Sequence, residues 1–360
     1  MVVCGCSAGG GGGAEAGKRA TSTTAAPAQD VAATGGGRSL EAILVPAGTR
    51  RASQDYLSLA ELRWVAKWSA WLTRAQSTGS RLATIFDGRE DNPVAPPRDI
   101  AFLSRCATDL EAVGPVPTTR LADAARPTAE ACELFQLALA EVEASARKGE
   151  HPSTALFPLG QLEEAARAFD TSLPGIGVGV NPPPFLDRPA RRTHMQIRYT
   201  YAMSRLEGQQ ITIRCFGPTE WRRELIQMGR KPGSIIGFVR AFEGSGNLAP
   251  QVCRRLDAMT YRKRLPRDLR GRVVLALAVG TLTHEAQHAR GKRNEGVVEC
   301  YGMQRIRAAA RALGAPRAYA DALAALYWQY VHPSLPARYK HADCQPGGRL
   351  DLHPKRDVWP

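Results

Sequence analysis

An apolar stretch that ends in two histidines constrains the fold of this chain more than any other feature. Residues 273–282 are almost wholly apolar and lead into the sequence HEAQH, which spans positions 284–288. An apolar run of this length, bracketed by arginines, predicts a helix buried inside a domain and is too short to cross a bilayer. Histidines four positions apart share one helix face, so His284 and His288 can reach the same metal ion. Glu285 lies between them, on the side where a metal-bound water would sit.

A third protein ligand has to come from beyond this helix. Glu295 follows His288 by seven positions and opens the run EGVVE after Asn294. On one straight helix Glu295 would lie about 10 Å beyond His288, too far for ligand bonds of about 2 Å. A turn at residues 291–294 would start a second, antiparallel helix near Glu295, with Glu299 facing His284. The spacing alone leaves open which of the two glutamates is the ligand, and we favour Glu295.

The sequence HEAQH followed by NEGVVE resembles the motif of the gluzincin zinc metallopeptidases, the thermolysin-like class with HExxH and a downstream acidic helix. The resemblance implies a Zn2+ cofactor bound by His284, His288 and Glu295, with Glu285 as general base. It also implies that Glu299 holds the second ring nitrogen of His284. The expected activity is hydrolysis of a peptide or protein substrate by a zincin-like domain.

Two departures from the gluzincin pattern stand out. The spacing from His288 to Glu295 is much shorter than in thermolysin, so the insert between the two helices is reduced to a tight turn. Arg290 occupies a position where the stricter peptidase motif has an apolar residue. The motif covers only residues 284–299. More loosely, the stretch from about 210 to the C-terminus resembles secreted or lipid-anchored actinobacterial proteins of this type.

Other interpretations of the motif remain open at the level of sequence. The histidines and acids can belong to an ordinary helix surface. Alternatively, the chain is a non-catalytic module of the cell envelope whose zinc is structural or vestigial, and a fourth ligand such as Glu299 would favour that function. Peptide hydrolysis also needs a group that stabilises the oxyanion, for which the sequence offers His332, Tyr339 and His341 without choosing among them.

Charge and composition bear on partners more than on fold. The formal net charge is +14 and the pI is near 9.7. The arginines are spread along the chain without interleaved aromatic residues, so we expect no nucleic-acid partner. A basic protein at a cell surface would still favour anionic lipids or wall polymers.

The N-terminus predicts a location outside the cytoplasm. Residues 1–40 are rich in Gly, Ala and Thr and are expected to form a disordered tether. The sequence VCGC at positions 3–6 resembles a lipobox with Cys6 as the acylated residue, although no basic and hydrophobic leader precedes it. We therefore expect a protein that is secreted or lipid-anchored to the outer face of a bacterial membrane, with a signal sequence upstream. A cytoplasmic protein with a flexible start is the alternative.

Six further cysteines are dispersed without CxxC spacing, which suits disulfides better than a metal knuckle. Cys106 and Cys132 flank a Gly-Pro turn between two helical stretches and are expected to pair. A bond from Cys300 to Cys253 or to Cys344 would brace the candidate site. The alternative is a set of reduced thiols in a cytosolic protein.

Periodicity predicts a mainly α fold with a small β-sheet, of the α+β class. After the tether at 1–40, we expect a helical bundle at 41–172, a Gly/Pro linker at 173–184 and a zincin-like domain at 185–360. Helices are predicted at 99–113, 118–148, 154–170 and 194–206, and strands at 211–214 and 237–242. Trp64, Trp68 and Trp71 recur at helical spacing and predict core positions in a further helix.

Overall fold

A computed structural model describes residues 55–86, 97–148, 161, 164, 183–231, 233–240, 245–355 and 359–360. This part of the chain is mainly helical and carries one small mixed sheet, which confirms the predicted α+β class. The predicted tether with Cys6, nearly all of the predicted helix at 154–170 and most of the predicted linker lie outside the described residues.

The N-terminal helices pack around a core that includes the predicted tryptophan stripe. Trp64, Trp68 and Trp71 are all buried, with the rings of Trp64 and Trp68 stacked 4.9 Å apart. The single helix predicted at 99–113 is interrupted at Arg105, and the disulfide Cys106–Cys132 is present as predicted. The four helices are α1 (Leu59–Phe86), α2 (Pro97–Ser104), α3 (Cys106–Val113) and α4 (Thr119–Lys148).

Five short strands form one mixed sheet in the order β1-β2-β3-β5-β4. The outer pair β1–β2 and the central pair β3–β5 are parallel, and the other two pairs are antiparallel. This order leaves β4 at an edge of the sheet. The strands are β1 (Phe185–Leu186), β2 (His194–Gln196), β3 (Thr212–Cys215), β4 (Gly237–Val239) and β5 (Ser245–Leu248).

Six helices accompany this sheet in the described part of the C-terminal region, and a largely buried one carries the HEAQH sequence. They are α5 (Ile197–Glu207), α6 (Pro218–Gln227), α7 (Pro250–Thr260), α8 (Leu269–Ala289), α9 (Glu295–Ala312) and α10 (Arg317–Leu326). Nearly every residue of α8 from Leu275 to His288 is buried, and α8 packs against β4, β5 and α9. No helix in the described ranges combines the length and apolar character that a bilayer crossing requires.

The N-terminal helices share their core with the start of the C-terminal region. Phe185 of β1, Met195 of β2 and Ile197 of α5 belong to the same buried cluster as the tryptophan stripe. Arg63 of α1 forms an ion pair with Asp187 at 2.6 Å. These contacts join α1 directly to the edge of the sheet that lies opposite β4.

A buried carboxyl group gives the fold a dependence on pH. Asp257 of α7 is 6% exposed and accepts a hydrogen bond of 2.5 Å from the hydroxyl of Tyr199 on α5. Burial raises the pKa of Asp257 from 3.8 to about 6, against the opposing effects of the Tyr199 hydrogen bond and of Arg262. The folded chain therefore holds this proton more tightly than the unfolded chain does.

We expect Asp257→Asn to remove this pH dependence, because asparagine still accepts the Tyr199 hydrogen bond but does not ionise. The stability linked to Asp257 is fully present below pH 3.8 and is lost as pH rises through about 6. The free energy of unfolding of the variant, relative to wild type, should thus rise by about 3 kcal/mol between acid and neutral pH. Urea unfolding at several pH values measures the difference, and a difference that is constant with pH would contradict the assignment.

Candidate metal centre

Three side-chain atoms from α8 and α9 converge on one point. The Nε2 atoms of His284 and His288 lie 3.1 Å apart. Oε2 of Glu295 lies 3.2 Å from Nε2 of His284 and 3.4 Å from Nε2 of His288. The three atoms therefore form a nearly equilateral triangle inside the protein.

Local sequence explains why these atoms meet. The two histidines are one helical turn apart near the end of α8, and Gly291 adopts the left-handed conformation (φ 98°) where the chain reverses. The side chain of Asn294 accepts a hydrogen bond from the backbone N–H of Val297 and caps α9. Glu295 is the first residue of α9. The structure thus contains the tight turn that the spacing requires if Glu295 is to reach the histidines.

The second ring nitrogen of each histidine has a specific partner. Nδ1 of His288 lies 2.8 Å from the backbone carbonyl of Lys292, an acceptor only, so Nδ1 carries the proton and donates it. Nδ1 of His284 lies 2.9 Å from Oε2 of Glu299. With Nδ1 as the donor in both rings, the two Nε2 atoms face Glu295 and are the ring atoms left for a metal ion. This is the tautomer that a metal ligand needs.

The hydrogen-bond chain behind His284 continues to a tyrosine that the sequence analysis missed. Tyr327 donates a hydrogen bond of 2.8 Å to Oε1 of Glu299, whose other oxygen holds His284. All three side chains are buried. Tyr327 follows Glu299 by 28 positions, and no local pattern links it to the motif. Glu299 is therefore oriented from both sides, away from the Nε2 atoms.

Charge at the site favours a cation between the two rings. Burial lowers the pKa of His284, but the hydrogen bonds to Glu295 and Glu299 outweigh this effect and raise the pKa to about 10. Burial likewise raises the pKa of Glu295, and the hydrogen bonds to His284 and His288 more than reverse it, holding the pKa far below the usual range. Both shifts have the same cause, because the carboxylate of Glu295 favours positive charge on the imidazoles beside it.

Glu285 lies on the sheet side of α8 and is fully buried. A Cβ atom added to Gly237 of β4 would lie 2.5 Å from Oε1 of Glu285, and one added to Gly246 of β5 would lie 3.2 Å from its Cβ. Only glycine at position 237 leaves room for the carboxyl group. The carboxyl group of Glu285 is therefore in contact with the edge strand β4.

The C-terminal segment folds back against α9 and contributes a tyrosine to the site. The disulfide Cys300–Cys344 ties this segment to the helix that carries Glu295. Among the three candidates for an oxyanion-stabilising group, the ring of Tyr339 lies 5.7 Å from that of His284. The ring of His332 instead stacks on Trp328, and Nδ1 of His341 accepts a hydrogen bond from the backbone N–H of Asp343.

Arg290, the departure from the gluzincin motif, has a structural partner. Its guanidinium group lies 3.0 Å from the carboxylate of Glu207, which is buried at the end of α5. Arg305 of α9 approaches the same carboxylate at 3.5 Å. An apolar residue at position 290 would leave Glu207 with less charge compensation, so the arginine fits the fold of this chain.

The donor set can hold a metal ion. A tetrahedral ion with ligand bonds of about 2.0–2.1 Å places its ligand atoms about 3.3 Å apart, close to the spacing observed here. The donors are His284, His288 and Glu295, and no fourth His, Cys, Asp or Glu of the described ranges joins the group. Glu299, the other candidate for third ligand, is bonded to Nδ1 of His284 instead.

Comparison of the chain with protein-family profiles, with curated proteins and with solved structures gave no match. The chemical interpretation of the site therefore rests on the geometry described above.

Proposed function

We propose that the chain is a zinc-dependent peptidase of gluzincin type that acts outside the cytoplasm. The observation that carries the proposal is the triangle of Nε2, Nε2 and Oε2 atoms with edges of 3.1–3.4 Å, beside the buried Glu285. Two imidazoles and one carboxylate are a ligand set that Zn2+ uses in hydrolytic enzymes. Glu285 follows His284 directly in α8, its charge raises the pKa of His284, and it lies outside the ligand group.

We assign a separate role in hydrolysis to each side chain of the site. Zinc would be bound by His284, His288 and Glu295, and when bound it would polarise a carbonyl and lower the pKa of water toward ~7. Glu285 accepts the proton from the attacking water and passes it to the leaving amine. Glu299 and Tyr327 hold His284 in the orientation and tautomer that keep its Nε2 available.

The sheet supports a peptide as the substrate. β4 is an edge strand, and Gly237 at its start is in contact with Glu285. An extended peptide can pair with an edge strand through main-chain hydrogen bonds, which would carry its carbonyl groups past the carboxyl group of Glu285. Tyr339 is our candidate for the group that donates to the oxyanion, because its ring is near that of His284.

The three disulfides support an oxidising environment, as found outside the cytoplasm. Secretion, and lipid anchoring through Cys6, are proposals that follow from the lipobox-like sequence at positions 3–6.

The number of ligands favours catalysis over the alternative of a non-catalytic envelope module. Structural zinc sites have four protein ligands, whereas catalytic sites have three and an open position. The described residues supply three. Glu299 would be the obvious fourth, but its two oxygens bind Nδ1 of His284 and the hydroxyl of Tyr327.

Chelation tests the proposal directly. The full chain, loaded with zinc, is incubated with a complex mixture of peptides, and new termini are identified by mass spectrometry. We expect cleavage that 1,10-phenanthroline abolishes and that added Zn2+ restores, with heat-denatured protein as the control. Identical products in the presence of the chelator would contradict a metal-dependent peptidase. Stoichiometric zinc without any cleavage would favour the envelope module.

A further inference from the structure

The basic residues of this chain are not evenly spread, because many of them are concentrated in one segment of the C-terminal region. Residues 254–272, from α7 through the first turn of α8, contain eight cationic side chains and two acidic ones. Of the two acids, Asp257 is buried and bonded to Tyr199, whereas Asp268 is exposed within this segment and caps α8 by accepting from the N–H of Gly271. The cations are Arg254, Arg255, Arg262, Lys263, Arg264, Arg267, Arg270 and Arg272, and all but Arg272 are exposed.

A cavity lies within this basic surface. Its volume is about 290 Å³, and the guanidinium-bearing residues Arg255 and Arg264 line it from α7 and from the loop before α8. Leu265, Pro266 and Leu275 supply apolar lining. A cavity lined by two arginines and by apolar residues suits a phosphate group attached to a less polar body.

An exposed apolar side chain lies between the arginines of this segment. Leu269, the first residue of α8, is 53% exposed between Arg267 and Arg270. Basic residues around a protruding leucine are the composition with which proteins bind the interface of an anionic bilayer. The leucine would enter the headgroup region while the arginines contact lipid phosphates.

The aromatic residues nearby argue against nucleic acid as the partner. Tyr261 donates to Gln196 and lies under the guanidinium group of Arg198, and Tyr319 donates to the carbonyl of Pro266. A guanidinium group, from Arg198 or from Arg272, already lies over each ring, whereas single-stranded bases stack on uncovered aromatic faces. The disulfides also indicate an oxidising compartment outside the cytoplasm, where a membrane is a more accessible anionic partner.

We propose that residues 254–272 form a docking surface for anionic phospholipid, with a headgroup phosphate between Arg255 and Arg264. This surface is at the opposite end of α8 from the candidate metal centre. Leu269 and His284 are 15 residues apart on the helix, or about 22 Å. Docking would therefore leave the metal centre clear of the bilayer, and it does not depend on the proposed peptidase activity.

Vesicle binding tests the proposal on the full chain, with Cys6→Ser to exclude any contribution from an acyl group. We expect the protein to co-sediment with vesicles of phosphatidylglycerol and phosphatidylcholine but not with phosphatidylcholine alone. Replacing Arg255, Arg264 and Arg267 by Gln should weaken binding by about 100-fold, since each cation near the surface contributes about fivefold. Leu269→Gln should weaken it further, and added EDTA should not.

The matched control removes the same charge elsewhere: Arg105, between α2 and α3, and Arg147 and Lys148, at the end of α4, are also exposed and become Gln. The control should bind vesicles like the wild type. An equal loss in both triple variants would overturn the proposal in favour of diffuse charge. Loss of oligonucleotide binding with unchanged vesicle binding in the Arg255/Arg264/Arg267 variant would assign the surface to nucleic acid instead. Equal urea unfolding midpoints exclude misfolding as the cause.

Discussion

Glu285→Gln should bind zinc as the wild type does and lose nearly all peptide hydrolysis. Glutamine has the shape of glutamate and fits the space beside Gly237, but it cannot accept a proton from water. The metal-binding group comprises His284, His288 and Glu295, so the substitution removes no ligand. General-base catalysis contributes about 10²–10⁴-fold, and we expect kcat/KM to fall by about that factor.

Asp257→Asn is the matched control for this experiment. It makes the same change, from a buried carboxyl to an amide, at a residue bonded to Tyr199 and not to the metal-binding group. The control should retain both zinc and activity. Peptide cleavage and zinc content are measured on the same preparations. Undiminished turnover by metal-loaded Glu285→Gln would refute the role of Glu285, and loss of zinc from this variant would show that Glu285 is needed for binding instead.

Local sequence was sufficient for the elements that form the candidate site. Positions 284 and 288 are one helical turn apart, and the helix rise requires a reversal of the chain before Glu295 if this residue is to be a ligand. The structure has that reversal, with Gly291 in the left-handed conformation and α9 beginning at Glu295. The pairing of Cys106 with Cys132 was predictable for a similar reason, since both flank one short turn.

Elements defined by distant partners were not predictable. The sequence predicted that residues 194–196 begin a helix, and this was wrong. They form β2, because they pair with β1 on one side and β3 on the other. No strand was predicted at Ser245-Gly246-Asn247-Leu248, yet all four residues are buried in β5 between β3 and β4. A strand this short has too few residues for a period-2 pattern to emerge.

The same limit applies to the residues that support the metal ligands. The partner of His288 is the backbone carbonyl of Lys292, which any residue could provide. The tyrosine that orients Glu299 is Tyr327, which follows the end of α10. These contacts depend on how α8, α9 and the segment after α10 pack together. No local sequence pattern predicts that packing.

Glu295→Ala should abolish stoichiometric zinc binding, whereas Glu299→Ala should only weaken it. Glu295 places Oε2 within 3.4 Å of both Nε2 atoms, so its loss leaves two ligands. Glu299 acts through Nδ1 of His284, and loss of such an outer contact typically costs about 10–100-fold in metal affinity. Zinc content of the full chain after dialysis, and zinc affinity by competition with a chelating dye, measure the two effects.

Tyr327→Phe separates a positioning role of Glu299 from direct ligation. Removing the hydroxyl leaves the carboxylate of Glu299 in place but frees one of its oxygens from the hydrogen bond that orients it. If Glu299 only orients His284, this variant should show a smaller loss of zinc affinity than Glu299→Ala, in the same direction. If Glu299→Ala loses all zinc while Glu295→Ala keeps it, the third ligand is Glu299, and the helix α9 must sit differently on α8 when metal is bound. That outcome would exchange one carboxylate ligand for another, so the site would still have three protein ligands and an open position.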